Sequence, residues 1–338
     1  MNHFKFTLAV GIILTGTQLL SAQNYSTASA INNSDAIAGG TCVNDCNGFH
    51  ATLIARHGVT DYDTFGGPGS LAFGLNDRGD VVGQSDTAQL DDDGEFISIA
   101  FLADRNGVHT LGTLPGYAFS QAFAINNAGL IVGRVYNSDP EDPAAPMRAV
   151  TFTANGAVRD LGTLGGATSL AFAVNDLGQI VGRSRTAARE PHAFLYENGA
   201  MKDLGTLGGN VSTARAINAR GWIVGGSRLA VPGQSHAFLF SDGVMRDLGT
   251  LGGAFSDAFA INASGLIVGA SDVSPGEAHA FSYYQGEMKD LGTLGGTYSV
   301  AFGVNDRGDI VGEAETATGD VHAFLYSNGV MRDLSVSQ

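Results

Sequence analysis

Charge is what this chain has least of. Only 15% of its 338 residues are Asp, Glu, Lys or Arg, against about 25% in an ordinary soluble domain. Basic residues number 18 and acidic residues 33, giving a net charge of −15. An acidic surface repels phosphate backbones and anionic headgroups, which argues against nucleic acid as a partner. Proline occurs only 8 times, which excludes collagen-like and polyproline structure. A single tryptophan, Trp222, leaves little aromatic platform for stacking sugar rings. After the first twenty-two residues, no stretch is apolar enough to span a bilayer.

What remains is glycine, 48 residues of it, in a chain that is 44% apolar. That is enough apolar surface for a core, and so much glycine favours short strands joined by tight turns over long helices. At the N-terminus, Lys5 precedes an apolar run from Phe6 to Leu20 and then Ser21-Ala22. This reads as a secretory leader cleaved after Ala22, with residues 23–338 as one mature domain, secreted or periplasmic. A membrane anchor is the alternative. Export would put Cys42 and Cys46 where disulfides persist, and a local bridge is expected. Free thiols, or a metal site with His50, are the competing readings.

Self-similarity dominates the rest. One half-unit, Ala-Phe-Ala-Ile-Asn-x-x-Gly-x-Ile-Val-Gly, centres on Asn32, Asn76, Asn126, Asn175, Asn218, Asn262 and Asn305. The other, His-Ala-Phe-Leu-Tyr-x-Asn-Gly-x-Met-Lys-Asp-Leu-Gly-Thr-Leu-Gly-Gly, starts near His50, Ile99, Arg148, His192, His236, His279 and His322. Each full unit supplies four strand-like runs, in the fifth copy Ala214–Asn218, Trp222–Gly225, His236–Phe240 and Met245–Leu248. Asn-x-x-Gly and Asn-Gly or Asp-Gly supply the two hairpin turns. The expected fold is therefore all-β, a seven-bladed β-propeller of four-stranded blades. Two blade phases fit. In the favoured one the boundary lies at the variable connection after Ile-Val-Gly, so the chain ends share a blade. In the other it lies at Gly-Thr-Leu-Gly-Gly and all blades are sequential.

His192-Ala-Phe194, His236-Ala-Phe238, His279-Ala-Phe281 and His322-Ala-Phe324, with Asp-Leu-Gly-Thr-Leu-Gly-Gly, resemble the HAF family of probable extracellular repeats. The resemblance covers nearly all of the mature chain and implies bacterial export. The first three copies depart from it at His50-Ala-Thr52, Ile99, Arg148 and Asp61-Tyr62. The hairpins also look faintly like FG-GAP blades. Asn76-Asp-Arg-Gly-Asp80 and Asn305-Asp-Arg-Gly-Asp309 lack the Asp-x-Asp-x-Asp-Gly rhythm of that calcium loop, so its metal sites are not transferred.

Residues present in most copies are expected to serve the blade. The repeated histidines should bond polar groups of neighbouring blades. Asp160, Asp203, Asp247, Asp290 and Asp333 should be satisfied by backbone N–H groups. Singular residues lie in the variable connections: Asp86, Asp91, Asp92, Asp93 and Glu95 in the second copy, and Asp139, Glu141 and Asp142 in the third. Arg183, Arg185 and Arg189 make the fourth connection basic, Arg228 lies in the fifth, and Glu313, Glu315 and Asp320 make the seventh acidic. These eight acids of the second and third copies are the candidate ligand or cation site, with Ca²⁺ the fitting ion if any cofactor binds. No Gly-x-Ser-x-Gly, His-Glu-x-x-His or P-loop pattern occurs. The expected function is a secreted, monomeric, non-enzymatic binding module taking a protein or polysaccharide on the variable-connection face. A polysaccharide-active hydrolase or lyase using the connection carboxylates is the alternative.

If Cys42 and Cys46 pair, intact mass of the exported protein without reductant should be lower by two hydrogens, and alkylation should find no thiol. The short loop should contribute less than the ~3 kcal/mol of a 15-residue loop. Two alkylated cysteines would contradict the pairing.

Overall fold

A computed structural model describes residues 26–43, 48–137 and 146–334. Cys46 and the acids Asp139, Glu141 and Asp142 lie outside them. The described residues are all-β: twenty-eight strands and no helix. None of them therefore forms a helix long and apolar enough to cross a membrane.

The strands fall into seven consecutive four-stranded antiparallel meanders, one per repeat. Repeat five is typical, with Gly208–Ile217, Ile223–Leu229, Ser235–Ser241 and Val244–Asp247 paired in that order. Its first strand starts six residues before the expected Ala214. The boundary between meanders is the Gly-Thr-Leu-Gly-Gly segment, which corrects the favoured phase: all four strands of each repeat are sequential. Both phases preserve strand count and parity, so the hairpin signals could not separate them. The turns behave as their residues demand, with φ of 52° at Asn198 and 82° at Gly199.

Two hydrogen-bond systems join the repeats. In the first, the buried Asn of each Asn-x-x-Gly turn works twice. Asn175 Oδ1 accepts from the N–H groups of Leu177 and Gln179, closing its own turn. Its Nδ2 donates to the Asn218 carbonyl at 3.0 Å. The same donation runs Asn32 to Asn76, Asn76 to Asn126, Asn126 to Asn175, Asn218 to Asn262 and Asn262 to Asn305. Asn305 then donates to Asn32 at 3.5 Å. In the second system, the Ala193 N–H of one repeat donates to Ser212 Oγ of the next at 2.8 Å, and that hydroxyl donates to the Gly205 carbonyl. Its counterpart in repeat seven runs from Ala323 N–H to Ser26 Oγ. Ala28 and Ile37 of the first repeat also pack with Val311 and Ala323 of the last.

The core sits within and between meanders. Phe194, Phe238, Phe281 and Phe324, with Val181, Val224, Val268 and Val311, are fully buried. The glycine of Ile-Val-Gly has a steric cause. At Gly182 a Cβ would lie 2.1 Å from the Leu170 carbonyl oxygen and 2.9 Å from the Phe194 ring. No other residue permits that approach.

The repeated histidines bond within their own meander, not to a neighbour as expected. His192 Nδ1 lies 2.8 Å from Asp203, His236 2.9 Å from Asp247, His279 2.9 Å from Asp290 and His322 2.7 Å from Asp333. Third and fourth strands are adjacent, so this pairing is the shortest available. The backbone satisfaction expected of the aspartates is present: Gly162, Gly205, Gly249 and Gly292 N–H donate to Asp160, Asp203, Asp247 and Asp290.

Ser212→Ala should strand the Ala193 N–H and the Gly205 carbonyl in a buried seam. We expect a loss of about 1–3 kcal/mol in urea unfolding with an unchanged slope. An unchanged midpoint would show that the seam carries little stability.

Candidate functional site

The expected acidic site is reached first. Asp86 lies on the strand Val81–Leu90, where its carboxylate accepts from the Ser98 hydroxyl. Burial pushes its pKa up, against the opposing effect of hydrogen bonds from Ser98 and Gly69. Asp91 to Glu95 form a tight turn continuing that hairpin. Asp91 Oδ1 accepts from the N–H groups of Asp93 and Glu95, and Gly94 takes φ 84°. So this connection, part of the expected cation site, is a capped hairpin tip, and Asp91 is used by its own turn. Among the described residues, no group of three His, Cys, Asp or Glu is placed to hold a metal ion.

A different constellation lies on the first strands. Each of the seven carries a β-bulge against its second strand, at the same place: between Ala28 and Ala30, Ala72 and Gly74, and Ala171 and Ala173, for example. The extra residue is the one three before the turn asparagine. A bulge re-aims the side chain of its extra residue. The residues so presented are Ser29, Phe73, Phe123, Phe172, Arg215, Phe259 and Phe302.

These side chains meet one another. Ring centroids are 5.5 Å apart for Phe73–Phe123 and for Phe123–Phe172, and 5.7 Å for Phe259–Phe302. Arg215 replaces phenylalanine in repeat five. Its guanidinium lies 4.9 Å from the Phe172 centroid and 5.5 Å from Phe259, a cation held between two ring faces. It also pairs with Asp257 at 3.2 Å. Asp257 is raised by burial, with Arg215 pulling the other way. The belt is therefore aromatic with one cation.

Beyond the belt at the turn end, a cavity of about 310 Å³ is lined by turn residues of all seven repeats. Over five of its seven positions the rim alternates carboxylate and carboxamide, with Ala219 and Ala263 at the other two: Asn33 Nδ2 donates to Asp77 and Asp306, and Asn127 Nδ2 to Asp77 and Asp176. On the other side of the belt stand second-strand residues eight past each turn asparagine. These are Gly40, Gln84, Arg134, Arg183, Gly226, Ala270 and Glu313. They face the next repeat's first strand: Gln84 hydrogen-bonds Gln121, and a Cβ on Gly226 would lie 2.7 Å from Asp257 Oδ1.

Three arginines thus gather across repeats three to five. Arg134 is buried, bonds Gln121 at 2.6 Å and lies 4.8 Å from the Tyr136 ring centroid. Arg183 was assigned to a basic connection by sequence, but it belongs to the strand Ile180–Thr186. Among the described residues no side chain or carbonyl pairs with it. Burial, then the positive charges of Arg215, Arg134 and Arg185, push its pKa down to about 10.

The belt was missed because singular residues were sought only in connections. The available signal was Ala214-Arg-Ala216 standing where five of the other six copies read Ala-Phe-Ala or Ala-Phe-Gly.

No family model matches the chain, and no curated protein does. Solved structures are similar in fold. A puromycin hydrolase gives a TM-score of 0.60 at 13% identity, over 94% of this chain and 55% of that one. An acylaminoacyl peptidase of Pyrococcus horikoshii gives 0.58 at 12%, over 93% and 52%. The β-propeller domain of the Trilobed protease from Pyrococcus furiosus, described as having an open velcro topology, gives 0.59 at 10%, over 93% and 98%. This chain spans about half the length of the first of these hydrolases. The β-propeller class is shown by these likenesses. They also correct the expectation of a non-enzymatic binding module or a polysaccharide-active enzyme, because the similar structures are those of proteins described as a hydrolase, a peptidase and a protease.

Two charge effects are testable. A carboxyl whose folded-state pKa is raised loses stability as pH rises through that value. Asp86→Asn should thus stabilise the protein at neutral pH, with the advantage vanishing in acid; equal gains at pH 3 and 7 would contradict it. Arg183 is charged in both states at pH 7 and pays for burial there. Arg183→Met should raise stability by about 1–2 kcal/mol, and a loss of stability would show a partner for that guanidinium.

Proposed function

We propose that the seven meanders close one seven-bladed propeller, and that this propeller selects and admits short peptides for a hydrolytic partner. The closing contacts are Asn305 to Asn32 and Ala323 to Ser26. The likeness to peptidase propellers supports the assignment to peptides, as does the half-length span of the match.

One observation carries the reading. Seven bulges recur at one level, five of their extra residues are phenylalanine, and six of the seven side chains run in contact from Phe73 to Phe302. A blade needs no bulge there for its own packing, since the alanine before it is already fully buried in the blade core. An aromatic constriction between a polar, acid-rimmed cavity and an arginine sector can grip an extended chain through its side chains and reject anything wide. Folded proteins and branched glycans fail that test; short peptides pass. In this proposal the chain is exported through its leader, as the HAF resemblance implies.

The test is size selection. The chain is retained on a resin and incubated with extracts of its source treated with a fluorophosphonate label. We expect a labelled hydrolase on the resin that cleaves tripeptide anilides faster than decapeptide anilides. Phe123→Ala with Phe172→Ala should widen the belt and bring the two rates together. No labelled hydrolase, or a rate ratio indifferent to the belt, would overturn the proposal.

A further inference from the structure

The arginine sector identifies what part of such a peptide is read. We propose that Arg183 binds a peptide's C-terminal carboxylate beside the aromatic belt. The inference rests on the peptide reading above, and its test separates the two.

Register places Arg183 opposite Leu170, two residues beyond the level of the belt, on the side away from the turn cavity. The equivalent positions of the neighbouring repeats hold Arg134 and Gly226. Arg134 is already engaged by Gln121, and Arg215 by Asp257 and two rings. On the repeat-five side Gly226 brings no side chain of its own, and the Asp257 carboxylate that pairs with Arg215 packs against it. Arg183 alone keeps its planar five-donor fork uncommitted, inside a protein whose net charge is −15. Thirty-three acidic residues could have supplied a partner; none of the described ones does.

A half-buried guanidinium with no partner among the described residues suits a planar monoanion that can accept two parallel N–H bonds, which is a carboxylate. The surroundings decide which carboxylate. Phe172 and Phe259 flank Arg215 and offer apolar faces to a side chain one or two residues upstream of the terminus. Polyanions are disfavoured by the rim carboxylates and by buried Glu313 at the equivalent position of repeat seven. Arg183 is then a ligand-binding residue whose cost to folding is offset when the carboxylate arrives.

The experiment uses the full chain and three probes: N-acetyl-Ala-Phe-Ala with a free carboxylate, the same peptide as its C-terminal amide, and sodium sulfate. Calorimetry should show the acid binding at least tenfold more tightly than the amide. In Arg183→Gln that ratio should fall to near one, and Arg183→Lys should restore part of it. Melting curves of both variants establish that they are folded. Equal binding of acid and amide to the unaltered chain would overturn the carboxylate assignment while leaving the peptide reading in place. A ratio unchanged in Arg183→Gln would do the same. Binding of neither peptide would overturn both. Sulfate competing as well as the acid would mark a general anion site and also overturn the assignment.

Discussion

Everything in this molecule hangs on one carboxamide per repeat. The turn asparagine spends its oxygen on its own Asn-x-x-Gly backbone and its nitrogen on the next repeat's asparagine carbonyl. Local turn geometry and inter-repeat spacing are thereby set by the same side chain. Aspartate could close the turn but has no N–H to donate, and serine is too short to reach the neighbour. Because the asparagine sits at the end of the first strand, it also fixes the height of the bulge three residues earlier in every repeat. The belt is level for that reason.

Much of the fold was legible from residues. Seven copies, four strands each and both hairpin turns follow from Asn-Gly, Asn-x-x-Gly and the alternation between them. The blade phase was not, because either boundary leaves the same strands and parity; only the pairing of Ile223–Leu229 with Ser235–Ser241, across the variable connection, decides it. The bulges were invisible for a related reason. Ala-Phe-Ala-Ile reads as plain alternation, and nothing marks the phenylalanine as an inserted residue until the register shift against the second strand is seen.

The site was harder still. Reasoning that repeated residues serve the blade and singular ones serve function was sound, but it was applied to connections alone. Ile-Val-Gly ends the apolar run of its strand, so pattern alone places Arg183 in the following connection. The strand runs on to Thr186 because Pro191 and His192 continue to pair with it. Arg215 sits inside the most regular part of the pattern, where it and Ser29 are the two departures from phenylalanine among seven copies. The acidic tip at Asp91, by contrast, drew the eye by charge and proves to be turn chemistry.

The account stands or falls with closure of the ring, and one amide reports it. The Ala323 N–H donates to Ser26 Oγ, across the junction between the last repeat and the first, as Ala193 N–H donates to Ser212 within the array. Native-state hydrogen exchange followed by NMR measures both directly. A closed propeller predicts that Ala323 and Ala193 exchange at comparable, slow rates. Rapid exchange at Ala323 beside slow exchange at Ala193 would mean that the junction is open, and would contradict the ring on which the belt and its arginine sector depend.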